Sequence, residues 1–251
     1  MTQPLRTEDD AQTNTGCVRS ANEDSLVALP RERVWIVADG MGGHANGKMA
    51  SDAIVSAVEA AQIPDDLVPA CEAVSDAIHS ANAAIYAQSQ AAGQQMGSTV
   101  VGLVIRDRRF GILWAGDSRA YVYRDGLLHQ LTRDHTQVQE MIDRGLMRPE
   151  DAEGHPMGHV LARAVGVQPT LEIDAIIDEA LPGDLFLLCS DGLHGVLSAE
   201  EIGAILAQDG RLAPAPLIAA CIERGAPDNV SVIVVSASEP TTLSFAGSIT
   251  A

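Results

Sequence analysis

STVVGLVIRDRRFGILWAGDSRAYVYRDG, residues 98–126, decides the architecture of this chain. Three apolar runs rich in β-branched residues follow one another in it: Ser98 to Ile105, Phe110 to Ala115 and Arg119 to Tyr123. Each reads as a strand. Tight connections leave no room for a crossover helix, and Asp125-Gly126 is a hairpin-turn dipeptide, so the sheet must be antiparallel. Working outward, Val34 to Ala38, Asp184 to Cys189 and Val230 to Ser236 are further strands. Lys48 to Ala61 reads as a helix, and Val68, Cys71, Val74, Ile78, Ala81 and Ile85 recur at spacings of three and four on a longer one. Ser198 with Glu201 forms a capping box that opens a helix through about Ala207, and Ala215 to Arg224 is another.

Strand and helix do not alternate regularly, so the expected class is α+β, with the helices laid on sheet faces in layers. Arg144 to Gly166 mixes Gly, Pro, His and Met without periodicity and is read as an irregular flap beside the site. One domain is expected over residues 1–238, with 239–251 as a polar tail.

Apolar residues make up 46% of the 251 and charged ones 20%, the balance of a folding globular chain rather than a disordered one. Only 3% is aromatic, so the core is filled by Ala, Val, Ile and Leu. The net charge of −18 repels nucleic acid and anionic membrane surfaces, and no basic patch offsets it. Cys17, Cys71, Cys189 and Cys221 are scattered, without zinc-like spacing or a disulfide framework. The start of the chain lacks the basic and then apolar run of a signal peptide, and no apolar stretch reaches the roughly 18 to 20 residues that span a bilayer. A cytoplasmic protein is expected.

Four aspartates share one context, each beside an apolar strand-like run: Asp39 in VWIVADGMGG, Asp117 in ILWAGDSRAY, Asp191 in LFLLCSDGL and Asp228 in GAPDNVSVIVV. Asp24, in RSANEDSL, stands just before another short apolar stretch. An Asp before Gly is ordinarily a turn residue. Five in one pattern point instead to a sheet rim where carboxylates crowd, which requires a compensating cation, and hard oxygen ligands select Mg²⁺ or Mn²⁺ over zinc. Two such ions about 3.5 to 4 Å apart can activate water and clamp phosphoryl oxygens. The chemistry indicated is phosphate ester hydrolysis.

The motifs run in an order that resembles the PP2C (PPM) family of metal-dependent protein phosphatases, in its bacterial form. Arg19-Ser20-Ala21-Asn22-Glu23-Asp24 resembles the opening RxxNED motif, and Asp39-Gly40-Met41-Gly42-Gly43-His44 the DGMGGH form. Gly97-Ser98-Thr99, Gly116-Asp117-Ser118-Arg119, Leu131-Thr132-Arg133-Asp134-His135, Ser190-Asp191-Gly192-Leu193 and Asp228-Asn229 resemble the family's GST, GDSR, LTxDH, SDGL and DN motifs. The likeness covers about residues 13 to 237.

That resemblance implies a four-layer α-β-β-α fold, a central antiparallel β-sandwich flanked by helix pairs, with a dinuclear Mn²⁺ or Mg²⁺ centre at one end. It implies that Asp39 bridges both ions, that the Gly40 carbonyl holds one, and that Asp191 and Asp228 complete the other. Asp24, with Glu23, acts through metal-held water, and Asp117 with Asp191 forms a weaker third site. Arg19 binds the substrate phosphate as a bidentate fork. Phosphoserine and phosphothreonine proteins are the implied substrates, including a serine/threonine kinase and its targets, for a free-standing monomer.

One departure bears on mechanism. Animal members carry a histidine directly after Asp-Gly, where this chain has Met41, whose thioether cannot donate a proton. His44 is the candidate general acid, with a structural role as the alternative; His135 and His155 are read as structural or flap residues.

Two rival readings exist. Gly42 to Lys48 fits the GxxxxGK spacing of a P-loop nucleotide hydrolase, but Met49 stands where Ser or Thr must reach Mg²⁺, and the required strand and helix alternation is missing. A match to GxGxxA from Gly40 is weaker still, lacking a dinucleotide crevice. A degenerate domain that binds phosphoproteins without turnover is the other rival, opposed by the intact Asp39, Asp191 and Asp228.

Overall fold

The computed structural model describes residues 3–43, 45–152, 155–158 and 160–240. The chain runs β1 (Arg6–Asn14), β2 (Ser25–Leu29), β3 (Val34–Ala38), β4 (Gly40–Met41), α1 (Ala45–Glu59), α2 (Leu67–Ala92), β5 (Gly97–Ser98), β6 (Val100–Arg106), β7 (Arg109–Ala115), β8 (Arg119–Arg124) and β9 (Leu127–Gln130). It continues with α3 (Gln137–Asp143), β10 (Asp174–Glu179), β11 (Leu185–Cys189), α4 (Asp191–His194), α5 (Ala199–Asp209), α6 (Pro214–Glu223) and β12 (Val230–Ser238). One sheet has the order β1-β12-β11-β8-β9, the other β10-β7-β6-β3-β2, and β4-β5 is a separate ribbon. Every strand pairing among the described residues is antiparallel. That topology removes the P-loop alternative, whose fold rests on a parallel sheet.

Side-chain alternation turns these strands into four layers. In β3, Trp35 and Val37 point into the space between the sheets, while Val34, Ile36 and Ala38 point to the α1–α2 side. Phe186 and Leu188 of β11 face inward in the same way, and Leu187 and Cys189 face α5 and α6. Central strands covered on both sides therefore read as unbroken apolar runs, which is why their positions were legible in the sequence. Each helix pair contributes an apolar stripe, such as Val74, Ile78, Ala81 and Ile85 from α2. The capping box is present: Ser198 accepts from the Glu201 N–H, and the Glu201 carboxylate accepts from the Ser198 N–H.

β1 has no apolar pattern. It is specified instead by backbone pairing along its whole length, from Arg6 opposite Ser238 to Asn14 opposite Val230, which covers the edge of the apolar β12. Asp125 and Gly126 both adopt positive φ, the geometry of a tight hairpin turn between β8 and β9. The run Ser98 to Ile105, expected as one strand, divides at Thr99: Ser98 belongs to the ribbon with β4, while Val100 begins the main sheet. No helix among the described residues is long and apolar enough to cross a membrane. Of the expected flap, residues 153, 154 and 159 lie outside the described residues, as does most of the expected tail, 241–251.

Phe110 and Phe186, one from each sheet, meet edge to face between the layers with ring centroids 4.8 Å apart. Phe186→Ala should lower the unfolding free energy by about 3–5 kcal/mol in urea titrations. Leu127→Ala, at a position 62% exposed, should change it by under about 0.5 kcal/mol.

Candidate active site

The antiparallel register delivers distant segments to one end of the sandwich. β3 ends at Ala38 opposite the start of β2, so Asp24 and Asp39 emerge together. Cys189 lies opposite both Arg119 and Val232, which brings Asp117 before β8, Asp191 after β11 and Asp228 before β12 to the same end. Asn14 lies opposite Val230, and this adds the segment carrying Arg19 and Glu23. A cleft of about 600 Å³ opens there, lined by Arg19, Glu23, Asp39, Gly40, Asp117, Asp191 and Asp228 among others.

Asp24 sits beneath that lining, 2% exposed. Its Oδ2 accepts from Ser231 Oγ at 2.6 Å and Ser190 Oγ at 2.9 Å, while its buried Oδ1 has no hydrogen-bond partner. An unpartnered buried carboxylate oxygen is costly and marks a place where a further group belongs. Lys48 Nζ donates to the Asp24 carbonyl at 3.1 Å, and Ser51 Oγ to the Glu23 carbonyl at 2.6 Å, so α1 fixes the backbone of both acids.

Asp39 is pinned through its main chain. Ser98 Oγ and the Thr99 N–H donate to its carbonyl at 2.9 and 2.8 Å, and its own N–H donates to Thr99 Oγ1. The break in the expected strand at Thr99 is what allows this. Two glycines set the closest approaches: a Cβ on Gly40 would stand 2.1 Å from the Gly47 carbonyl oxygen, and one on Gly192 would stand 1.9 Å from that of Asn229. Asn229 closes the opposite wall, accepting the Glu23 N–H and donating to the Thr15 and Ala21 carbonyls.

Burial, followed by the charge of its neighbours, pushes the carboxyls up. Asp24 rises to about 6, with Asp191 and Asp228 beside it, and Asp117 to about 7, with Asp191 and Asp134 beside it. Asp39 is driven well above the usual carboxylate range by burial and by Asp24, Asp191, Asp117 and Asp228 together. The cluster thus resists carrying its full negative charge unaided.

The rim holds a pairing the sequence did not announce. Arg19 Nη2 donates to Asp228 Oδ2 at 2.6 Å, and Asp228 Oδ1 accepts the Asn229 N–H at 2.8 Å, so both Asp228 oxygens are engaged. Among the described residues, no three acidic, histidine or cysteine side chains already form a group able to hold an ion. The acids share a cleft and a field without being drawn into one coordination sphere.

Met41 lines the cleft, and His44 lies outside the described residues. His135 sits behind the Asp117 loop: its Nδ1 accepts the Gly116 N–H at 3.1 Å, its ring stacks on Trp114, and its carbonyl accepts the Ala162 N–H. Ser190, Ser231, Thr99 and Asn229 were given no individual role from the sequence, and Lys48 entered only through the P-loop alternative. Nothing in a serine's local pattern shows that it will meet a carboxylate more than a hundred residues away, although Ser190, Thr99 and Asn229 each stand within a recognised motif.

Residues 18–212 match the model of the family described as Protein phosphatase 2C. The chain is 38% identical over 235 residues to "Serine/threonine protein phosphatase PstP" of Mycobacterium tuberculosis, covering 89% of this chain and 44% of that protein, so it spans under half the length of that relative. It is 32% identical over 235 residues to "Serine/threonine phosphatase stp" of Listeria innocua, covering 89% of this chain and 93% of that one. Among solved structures, that of "PppA, a key regulatory component of T6SS in Pseudomonas aeruginosa" superposes with a TM-score of 0.86 at 36% identity, over 92% of this chain and 97% of that one. The catalytic domain of PstP, solved with two manganese ions, superposes with a TM-score of 0.82 at 34% identity, over 93% and 99%. A four-layer antiparallel sandwich, an acidic cleft at one end and a match over most of its length together establish that this chain belongs to the protein phosphatase 2C family.

Proposed function

We propose that this chain hydrolyses phosphoserine and phosphothreonine esters in proteins, using divalent cations held in the acidic cleft. One observation carries the reading. Among the described residues the cleft lining holds five carboxylates, Glu23, Asp39, Asp117, Asp191 and Asp228, against a single cationic side chain, Arg19. The donor set is all hard oxygen, the carboxyls resist ionising together, and Asp24 keeps an orphaned oxygen beneath them. These residues fit Mn²⁺ or Mg²⁺. Relatives named as serine/threonine phosphatases, one solved with two manganese ions, support the same reading.

In this proposal Asp39 would hold both ions and the Gly40 carbonyl one of them. Asp191 and Asp228 would complete the other, and Asp117 with Asp191 would form a weaker third site. Bound there, the cations supply a nucleophilic water at neutral pH and neutralise phosphoryl charge. The chain's own residues do the rest. Asp24, fixed by Ser190 and Ser231, orients the water side of the cleft from below, with Glu23 beside it. Arg19 exchanges Asp228 for the substrate phosphate, which its planar fork suits. Met41 has no proton to give, and His44 is the candidate donor of the leaving-group proton, with a structural role as the alternative. The domain is taken as residues 1–238, acting as a monomer on phosphoproteins that include a serine/threonine kinase and its targets. A cytoplasmic setting is supported by four cysteines that are all free thiols.

Purified protein with Mn²⁺ should hydrolyse a phosphothreonine peptide and nitrophenyl phosphate but not ATP, and chelation should abolish turnover. Activity that survives complete metal removal would overturn the proposal. Asp39→Asn should reduce kcat by several orders of magnitude with the fold retained by circular dichroism. Arg19→Ala should raise KM for the peptide about tenfold, the scale of a lost charged hydrogen bond, and should not weaken Mn²⁺ binding by calorimetry because it releases Asp228. An unchanged KM would remove Arg19 from phosphate binding.

A further inference from the structure

Lysine occurs once in this chain. Fifteen of the 16 basic side chains are arginine, and the exception, Lys48, closes the stretch from Gly42 that has P-loop spacing. The antiparallel topology rules out that role, and Lys48 lies behind the cleft lining rather than in it. What it holds is the segment that carries Glu23 and Asp24. Lys48 Nζ donates to the Asp24 carbonyl at 3.1 Å, to Ser25 Oγ at 2.8 Å and to Asp52 Oδ1 at 2.8 Å. An ammonium has three hydrogens, and three acceptors converge on them.

A lysine and an aspartate four residues apart on a helix surface contribute little as an ion pair, and Lys48 and Asp52 are each about half exposed. The other two contacts are of a different kind. Ser25 is 6% exposed, and its hydroxyl accepts from Lys48 while donating to the same Asp52 oxygen at 2.6 Å, which closes a ring of three groups directly after Asp24. The same helix turn bears on the opposite wall of the cleft. A Cβ on Gly47 would collide with the Glu23 carboxylate and stand 2.9 Å from the Gly40 carbonyl. The first turn of α1 is therefore wedged between the Glu23–Asp24 segment and the Gly40 peptide, and Lys48 is where it holds the former.

We infer that Lys48 is a positioning residue for phosphate ester hydrolysis: its ammonium sets the Glu23–Asp24 peptide against Gly40, so that the acids on the water side of the cleft keep their register with the carbonyl opposite. The inference rests on the proposed function. Positive charge alone does not perform this task. A guanidinium spreads its N–H groups over a plane and cannot bring three donors to one point, so arginine, used everywhere else in this chain, is no substitute at position 48. Lys48 acts through the main chain of Asp24 and not on the substrate phosphate, which separates its effect on the kinetics from that of Arg19.

The test combines kinetics with Mn²⁺ on a phosphothreonine peptide, urea unfolding, and one spectroscopic signal. Lys48→Met, which keeps the length of the side chain and removes its donors, should lower kcat about tenfold, the scale of losing a group behind metal ligands, with KM unchanged. Lys48→Arg still pairs with Asp52, so it should recover the urea stability lost in Lys48→Met and yet leave kcat low. Because lysine occurs once, ¹⁵N-lysine labelling of the metal-free protein gives one side-chain ammonium signal, which should persist in water through its three hydrogen bonds. Wild-type kcat in either variant overturns the assignment, as does a KM that rises while kcat holds, or an ammonium signal already lost to exchange with water in the unaltered protein. If the unaltered protein with Mn²⁺ leaves nitrophenyl phosphate intact, the phosphatase reading itself falls, and this assignment with it.

Discussion

Carboxylates held side by side away from water are the constraint on which the rest of the structure depends. Burial raises the cost of each charge and neighbours raise it again, so Asp24, Asp39 and Asp117 are all driven above their ordinary range. The surrounding structure tolerates this by satisfying the polar atoms around the acids rather than by neutralising them. Serine hydroxyls hold one Asp24 oxygen, Ser98 and Thr99 hold the Asp39 main chain, and Asn229 ties down three backbone groups of the stretch from Thr15 to Glu23. Arg19 is the only cationic side chain among the described cleft lining, and it is spent on Asp228. A site that is stable in its supports and unstable in its charge is built to take cations.

The sandwich explains why such a site holds its shape. Side chains from both sheets fill its centre, and each outer face is covered by helices, so the strand ends that carry the acids are anchored in close-packed layers. On the proposed function, the chemistry resides at the strand ends that this packing anchors.

Much of this was legible in the sequence because the relevant residues follow local rules. Central strands such as Val34 to Ala38 are buried on both faces and carry unbroken apolar runs, and α2 shows its periodicity plainly. Each acid of the cleft stands beside such a strand or in the turn next to one, so finding the strands finds the rim. What was not legible depends on partners remote in sequence. β1 is polar and exists by pairing with β12; Thr99 interrupts an apparently continuous strand to reach Asp39; Ser190 and Ser231 meet at Asp24. The Arg19–Asp228 pair belongs to the same class, since its members are 209 positions apart.

The most direct measurement is the unfolding free energy of the protein as a function of pH, in chelator and with Mn²⁺. Folding raises the pKa of Asp24 to about 6 and of Asp117 to about 7, from an unfolded value of about 4, and raises Asp39 as well. The folded state therefore binds more protons than the unfolded one across that interval, and stability must fall as pH rises through it. In chelator, stability should decline from about pH 5 to about pH 8, and Mn²⁺ should restore it most at the upper end, where the carboxylates are charged and free to bind. A metal-free protein whose stability is flat or rising over that range, and which gains nothing from Mn²⁺, would contradict the account.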